Sequence, residues 1–173
     1  MLRVVAIMVW AVMAPVAQAG GLTASFPSID GGMLNLEDWR GRPVLVVNTA
    51  SKCGFTDQYA DLQALYDRYR DRGLVVLAVP SDDFNQELGS AAEVQAFCEI
   101  NYGLDLPMTD ILPVRGAGAH PFFRAVRAET GFEPRWNFHK ILIDGEGRVA
   151  GTWGSGTRPL SGAIVSQLEP LLN

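Results

Sequence analysis

No CxxC pair occurs in this sequence: in "NTASKCGFTDQY" the place three residues after Cys53 is taken by Thr56, and the only other cysteine is Cys98. One-site dithiol exchange is excluded for want of a partner thiol, and two cysteines are too few for a disulfide framework. Histidine is equally scarce, with His120 and His139 alone, and no Cys or His pair has local metal-ligand spacing. Basic residues number 14 against 19 acidic, a net charge of −5, which argues against a nucleic-acid footprint. Long apolar runs are missing too. The run "VVAIMVWAVMA" is too short to span a bilayer comfortably, and nothing later in the chain is long enough.

That run is itself informative. Arg3 precedes it, Pro15 and "VAQAG" follow it, and Ala17 and Ala19 supply small residues. This is the three-part plan of a secretory signal peptide over residues 1–19, with cleavage after Ala19. An uncleaved N-terminal anchor is the alternative. Residue 20 is glycine, so the cut site offers no thiol for a lipid. Without the segment 13 basic residues face 19 acidic ones, a net charge of about −6. The expectation is an exported chain, periplasmic or secreted, without stable membrane insertion. Residues 20–173 form one domain, with 48% hydrophobic residues over the whole chain to build a core.

The stretch "LTASFPSIDGGMLNLEDWRGRP" reads as an N-terminal hairpin turning at Asp-Gly-Gly. "PVLVVNTAS" and "LVVLAVP" are nearly continuous apolar runs, as in strands buried on both faces. Between them Tyr59, Leu62, Leu65, Tyr66 and Tyr69 recur at helical spacing, with Gly73 as a stop, so the three form a parallel βαβ unit. Ser90 and Glu93 make a capping box opening "SAAEVQAFCEINYG", a helix with Val94, Phe97 and Cys98 toward the core and Gly103 at its end. "HPFFRAVRAETG" gives a further short helix. "FHKILID" and "VAGTWGSG" form a closing hairpin, and an amphipathic helix follows from about Pro159. The fold class is α/β and thioredoxin-like, with an N-terminal hairpin and a helical insertion in the βαβ unit, ahead of the closing hairpin, that holds Cys98.

This reading puts Cys53 in the first turn of a helix, just past a central strand. Free backbone N–H groups, the positive end of the helix dipole and Lys52 next door favour a thiolate there, the form that attacks. Peroxide oxidises a thiolate to a sulfenic acid, which a second cysteine can resolve as a disulfide, and Cys98 is the one candidate. Peroxide cleavage also needs neutral hydrogen-bond donors around the sulfur. "FNQELGS" and "PRWNFHK" offer Gln86, Trp136 and Asn137.

With these residues in view, the chain resembles the glutathione peroxidase family from about Leu22 to the C-terminus. "NTASKCGFTDQY" resembles the family's peroxidatic motif, "FNQELGS" its glutamine motif and "RWNFHKILID" its tryptophan-asparagine motif, in the expected order. The resemblance implies a site of sulfur, glutamine, tryptophan and asparagine at Cys53, Gln86, Trp136 and Asn137, with no cofactor and no metal. Cys98 matches the place of the resolving cysteine in cysteine-containing members, which are usually reduced by thioredoxin-like proteins more readily than by glutathione. The chain departs from the family's "PCNQFGGQEPGS" in reading "PSDDFNQELGS", with Ser81 in place of a cysteine and one residue fewer before Gln86. "PVRGAGAHPFF" is short where tetrameric members have their subunit-contact loop, so a monomer is expected. The implied activity is reduction of hydrogen peroxide and organic hydroperoxides. Because two thiols can bond only with their Cα atoms within about 7 Å, the Cys98 helix is expected to unwind in part after oxidation, with Gly89 and Gly103 permitting the movement.

Three other readings compete. An exported thiol-disulfide oxidoreductase shares the fold but lacks the thiol at Thr56. A copper or zinc carrier would have to use Cys53, Cys98, His120 and His139. A binding module would use the two cysteines as a structural disulfide.

Overall fold

The computed structural model describes residues 21–173, so the segment read as a signal peptide lies outside the described residues. β1 (Ser25–Pro27) and β2 (Met33–Asn35) form the expected hairpin, Phe26 opposite Leu34, with Gly31 and Gly32 taking left-handed φ values of 88° and 75° in the turn. The main sheet has the order β4-β3-β5-β6. β3 (Val44–Thr49) runs parallel to β4 (Val75–Pro80) and antiparallel to β5 (Lys140–Ile143), which pairs antiparallel with β6 (Val149–Trp153). Every residue of β3, β4 and β5 is buried, which explains why apolar residues dominate them, with Asn48, Thr49 and Lys140 as the polar exceptions.

Helices cover both faces. α1 (Gln58–Tyr69), α2 (Ala91–Tyr102) and α4 (Gly162–Leu168) contribute Tyr59, Leu62, Leu65, Val94, Cys98 and Leu168 to a cluster with Leu45, Val47, Val76, Ala78 and Leu142. α3 (Pro121–Thr130) and the hairpin cover the other face, Phe26, Phe122, Phe123 and Val126 packing on Val44, Val46, Val75, Leu77 and Ile141. This is the thioredoxin-like arrangement. α2 follows β4, so the insertion extends the βαβ unit at its far end. Ser90 accepts from the Glu93 N–H at 3.3 Å, and Gly103 closes α2 in a left-handed conformation, φ 61°.

Two boundaries differ from the sequence reading. α1 begins at Gln58, so Cys53 lies in a run of turns ahead of the helix, in which Thr56 N donates to Cys53 O and Gln58 N to Phe55 O. The cause is tertiary: the N–H groups of Ser51 and Lys52 are held by the loop after β4, which keeps the segment out of helical geometry. α4 begins at Gly162 rather than near Pro159, because Arg158–Ser161 forms a turn and Ser161 takes an extended N-cap conformation.

Candidate active site

Three loops converge at one end of the sheet, beyond the carboxyl ends of β3 and β4. The first carries Cys53, 4% exposed. The second turns at Asp82, whose carbonyl accepts from Asn85 N at 2.9 Å and whose carboxylate accepts from Glu87 N at 3.1 Å. Asn85, directly before Gln86, adopts φ 56°, a left-handed conformation that asparagine tolerates. The third loop is organised by buried Asn48 of β3, which donates to Trp136 O at 3.0 Å and accepts from His139 N at 3.0 Å. Phe138 between them is forced to φ 59°, an uncommon conformation for a bulky residue, with its N–H on Asn48 O at 2.6 Å.

The result brings two of the expected donors into contact. Asn137, fully buried, donates through Nδ2 to Gln86 Oε1 at 2.9 Å, leaving the Gln86 NH2 as its donor end. Trp136 is 40% exposed and lies against Phe84, ring centroids 5.4 Å apart. Cys53 is joined to this group through its loop backbone rather than through its sulfur: Lys52 N donates to Gln86 O at 2.8 Å. The Lys52 ammonium, expected beside the sulfur, donates to Glu87 O at 3.1 Å.

Cys98 sits apart from the loops, 1% exposed on α2, yet it belongs to the same core cluster as Cys53. Both are free thiols. Burial pushes the Cys98 thiol up to about 11, the neighbouring Tyr59 hydroxyl opposing the shift and the Glu87 carboxylate adding to it. The histidines go elsewhere. His120 caps α3 and stacks on Phe26 at 4.5 Å, and His139 faces Ser155 Oγ at 3.2 Å. Among the described residues no three His, Cys, Asp or Glu side chains form a group able to hold a metal. No helix of the described residues is long and apolar enough to cross a membrane.

A family model described as glutathione peroxidase matches residues 22–127. The chain belongs to the glutathione peroxidase family. Hydroperoxy fatty acid reductase gpx1 of Synechocystis is 40% identical over 169 residues, covering 90% of this chain and 99% of the relative. A glutathione peroxidase-like peroxiredoxin of Schizosaccharomyces pombe is 42% identical over 135 residues, 75% of this chain and 85% of the other. Among solved structures, GPX1 of T. cruzi aligns with a TM-score of 0.67 at 29% identity, covering 85% and 92% of the two chains. The chain is therefore an oxidoreductase of the peroxidase class with a thioredoxin-like fold.

Sequence reasoning did not single out the residues that hold the site. Asn48 reads as one more residue at a strand end, and Ser155, whose Oγ donates to Asn137 O at 2.6 Å, as a loop serine. Asp83 accepts from Val114 N and Arg115 N at 2.6 and 3.0 Å, tying the Gln86 loop to the loop before α3. Glu87 lies inside the quoted glutamine motif, but a lone glutamate reads as surface. Its one available signal was its place beside Gln86.

Proposed function

We propose that Cys53 is the peroxidatic nucleophile of a thiol peroxidase, and Cys98 its resolving cysteine. The Cys53 thiolate attacks one peroxide oxygen, the O–O bond breaks, and the departing oxygen takes a proton to leave as water or an alcohol while Cys53 becomes a sulfenic acid. Gln86, Trp136 and Asn137 serve as neutral donors to the thiolate and to the developing oxyanion. Cys98 then attacks the sulfenic sulfur, releasing water and forming the disulfide, and a thioredoxin-like protein or, less readily, glutathione returns both thiols by exchange. The substrates are hydrogen peroxide and organic hydroperoxides, a range the fatty acid hydroperoxide reductase relative supports. The chain is read as monomeric and as exported after removal of residues 1–19, on the strength of the three-part N-terminal pattern.

The observation that carries this reading is the Asn137–Gln86 hydrogen bond at 2.9 Å, made next to a Cys53 loop whose backbone is bonded to Gln86. Two variants test it. Cys53→Ser abolishes reaction with hydroperoxide, whereas Cys98→Ser retains one rapid reaction per chain but loses turnover with a dithiol reductant. If Cys98→Ser chiefly lowers Tm and leaves turnover intact, the structural-disulfide reading is the correct one.

A further inference from the structure

Lys140 opens β5 with its side chain enclosed, and none of the ion pairs among the described residues includes it. Burying an unpaired charge is unfavourable, and the other residues of the strand, Ile141, Leu142 and Ile143, are apolar. Lys140 Nζ donates instead to Gln58 Oε1 at 2.5 Å and to Ser155 O at 3.3 Å, and Gln58 Nε2 donates to the same Ser155 O at 2.7 Å. An ammonium has donors only, so it holds the Gln58 amide with its oxygen toward Lys140 and its NH2 toward Ser155. Ser155 Oγ in turn donates to Asn137 O at 2.6 Å.

These bonds close a ring around the Cys53 loop. Ahead of the sulfur, Lys52 N donates to Gln86 O at 2.8 Å, and Gln86 Oε1 accepts from Asn137 Nδ2 at 2.9 Å. From Asn137 the ring continues through Ser155 to Gln58. Gln58 opens α1 directly after the turns in which Gln58 N donates to Phe55 O and Thr56 N to Cys53 O. The segment bearing the sulfur is thus held on both sides, and both holds meet at Asn137. Gln58, Asn137, Lys140 and Ser155 are all buried, where each bond is strong and a lost partner is not readily replaced by water.

We propose that Lys140, Gln58 and Ser155 act as one positioning unit that fixes Asn137 relative to Cys53 for the peroxide step. The inference rests on the proposed roles of Cys53 as nucleophile and Asn137 as donor. The three residues act through Asn137 and the Cys53 turns, not on the peroxide itself. They set where the Asn137–Gln86 pair stands against the departing oxygen, a geometry in which a misplacement of about 1 Å costs about a hundredfold in rate.

Two rate constants of Cys53, followed by mass analysis of its peptide, separate placement from reactivity. One is for hydrogen peroxide, which needs the donors in place, and the other is for iodoacetamide, which needs only a reachable thiolate. In Lys140→Met the ratio of the first to the second falls about tenfold or more. Ser155→Ala, a loss of one oxygen atom, does the same and carries the test alone if Lys140→Met does not fold. The double variant falls no further than the lower single one, because both changes break one chain of bonds. A lower Tm with an unchanged ratio in either variant, or effects that multiply in the double variant, overturns this inference alone and leaves the network a packing feature. A wild-type Cys53 that does not react with hydrogen peroxide overturns the proposed function and this inference with it, and that measurement precedes the variants.

Discussion

Lys140 carries its ammonium into the protein interior, against Gln58 Oε1 at 2.5 Å and Ser155 O at 3.3 Å, with no carboxylate in contact. Burial pushes its pKa down from 10.5 to about 8. Below pH 8 the folded chain holds this charge out of water. Between about 8 and 10.5 the unfolded chain still binds a proton that the folded chain has released, so stability rises with pH across that window. Lys140→Met removes this contribution. Measured from pH 7 to pH 10, the difference in stability between the two proteins shifts toward wild type by at most about 3 kcal/mol, and a difference independent of pH contradicts the assignment. Such a residue was not legible in the sequence, where Lys140 in "NFHKILI" looks like the polar position of an ordinary strand. Gln86, Trp136 and Asn137 could be singled out because each stands in a quoted motif, and the structure puts Asn137 and Gln86 in contact. Asn48 and Glu87 act through backbone groups of distant loops, and such partners leave no local pattern.

The elements themselves divide by what determines them. β3 and β4 could be read from apolar runs, and α2 and α3 from their caps, because those signals are local. The starts of α1 and α4 could not, since the first is set by bonds to another loop and the second by a turn at Arg158–Ser161. On the proposed mechanism α2 carries the resolving thiol. Its last bonds, Gly103 N to Glu99 O at 2.9 Å and Leu104 N to Cys98 O at 3.4 Å, end at the carbonyl of Cys98 itself, so fraying from this end frees the thiol early. Amide exchange over residues 90–101 is expected to be faster in the oxidised protein than in the reduced one, and equal protection speaks against the opening. Ser90→Ala removes the cap at a cost of about 1 kcal/mol. The same variant should shorten the interval between sulfenic acid and disulfide, and a lower Tm without that change means the helix opens only from its far end.

At the scale of the molecule, the topology does what no segment could announce. The parallel β3–β4 pair and the antiparallel entry of β5 bring loops separated by up to about ninety residues to one rim, where Asn48 bonds both sides of Asn137. Arg115 lies over the Phe84 ring that packs on Trp136, but the acidic balance of the chain disfavours an anionic tripeptide, whereas a protein dithiol needs only access to the disulfide. Steady-state kcat/KM is therefore expected to be about tenfold or more higher with a thioredoxin than with glutathione for each hydroperoxide tried, and light scattering should give the mass of one chain. The reverse preference would move the reductant assignment to glutathione. The rim also offers a practical instrument. Trp136 is open to solvent there while Trp39 and Trp153 are half-buried, so a collisional quencher such as acrylamide reaches it preferentially. If Trp136 borders the reacting sulfur as proposed, its emission should change as Cys53 is oxidised, and stopped-flow fluorescence after one equivalent of hydroperoxide checks it.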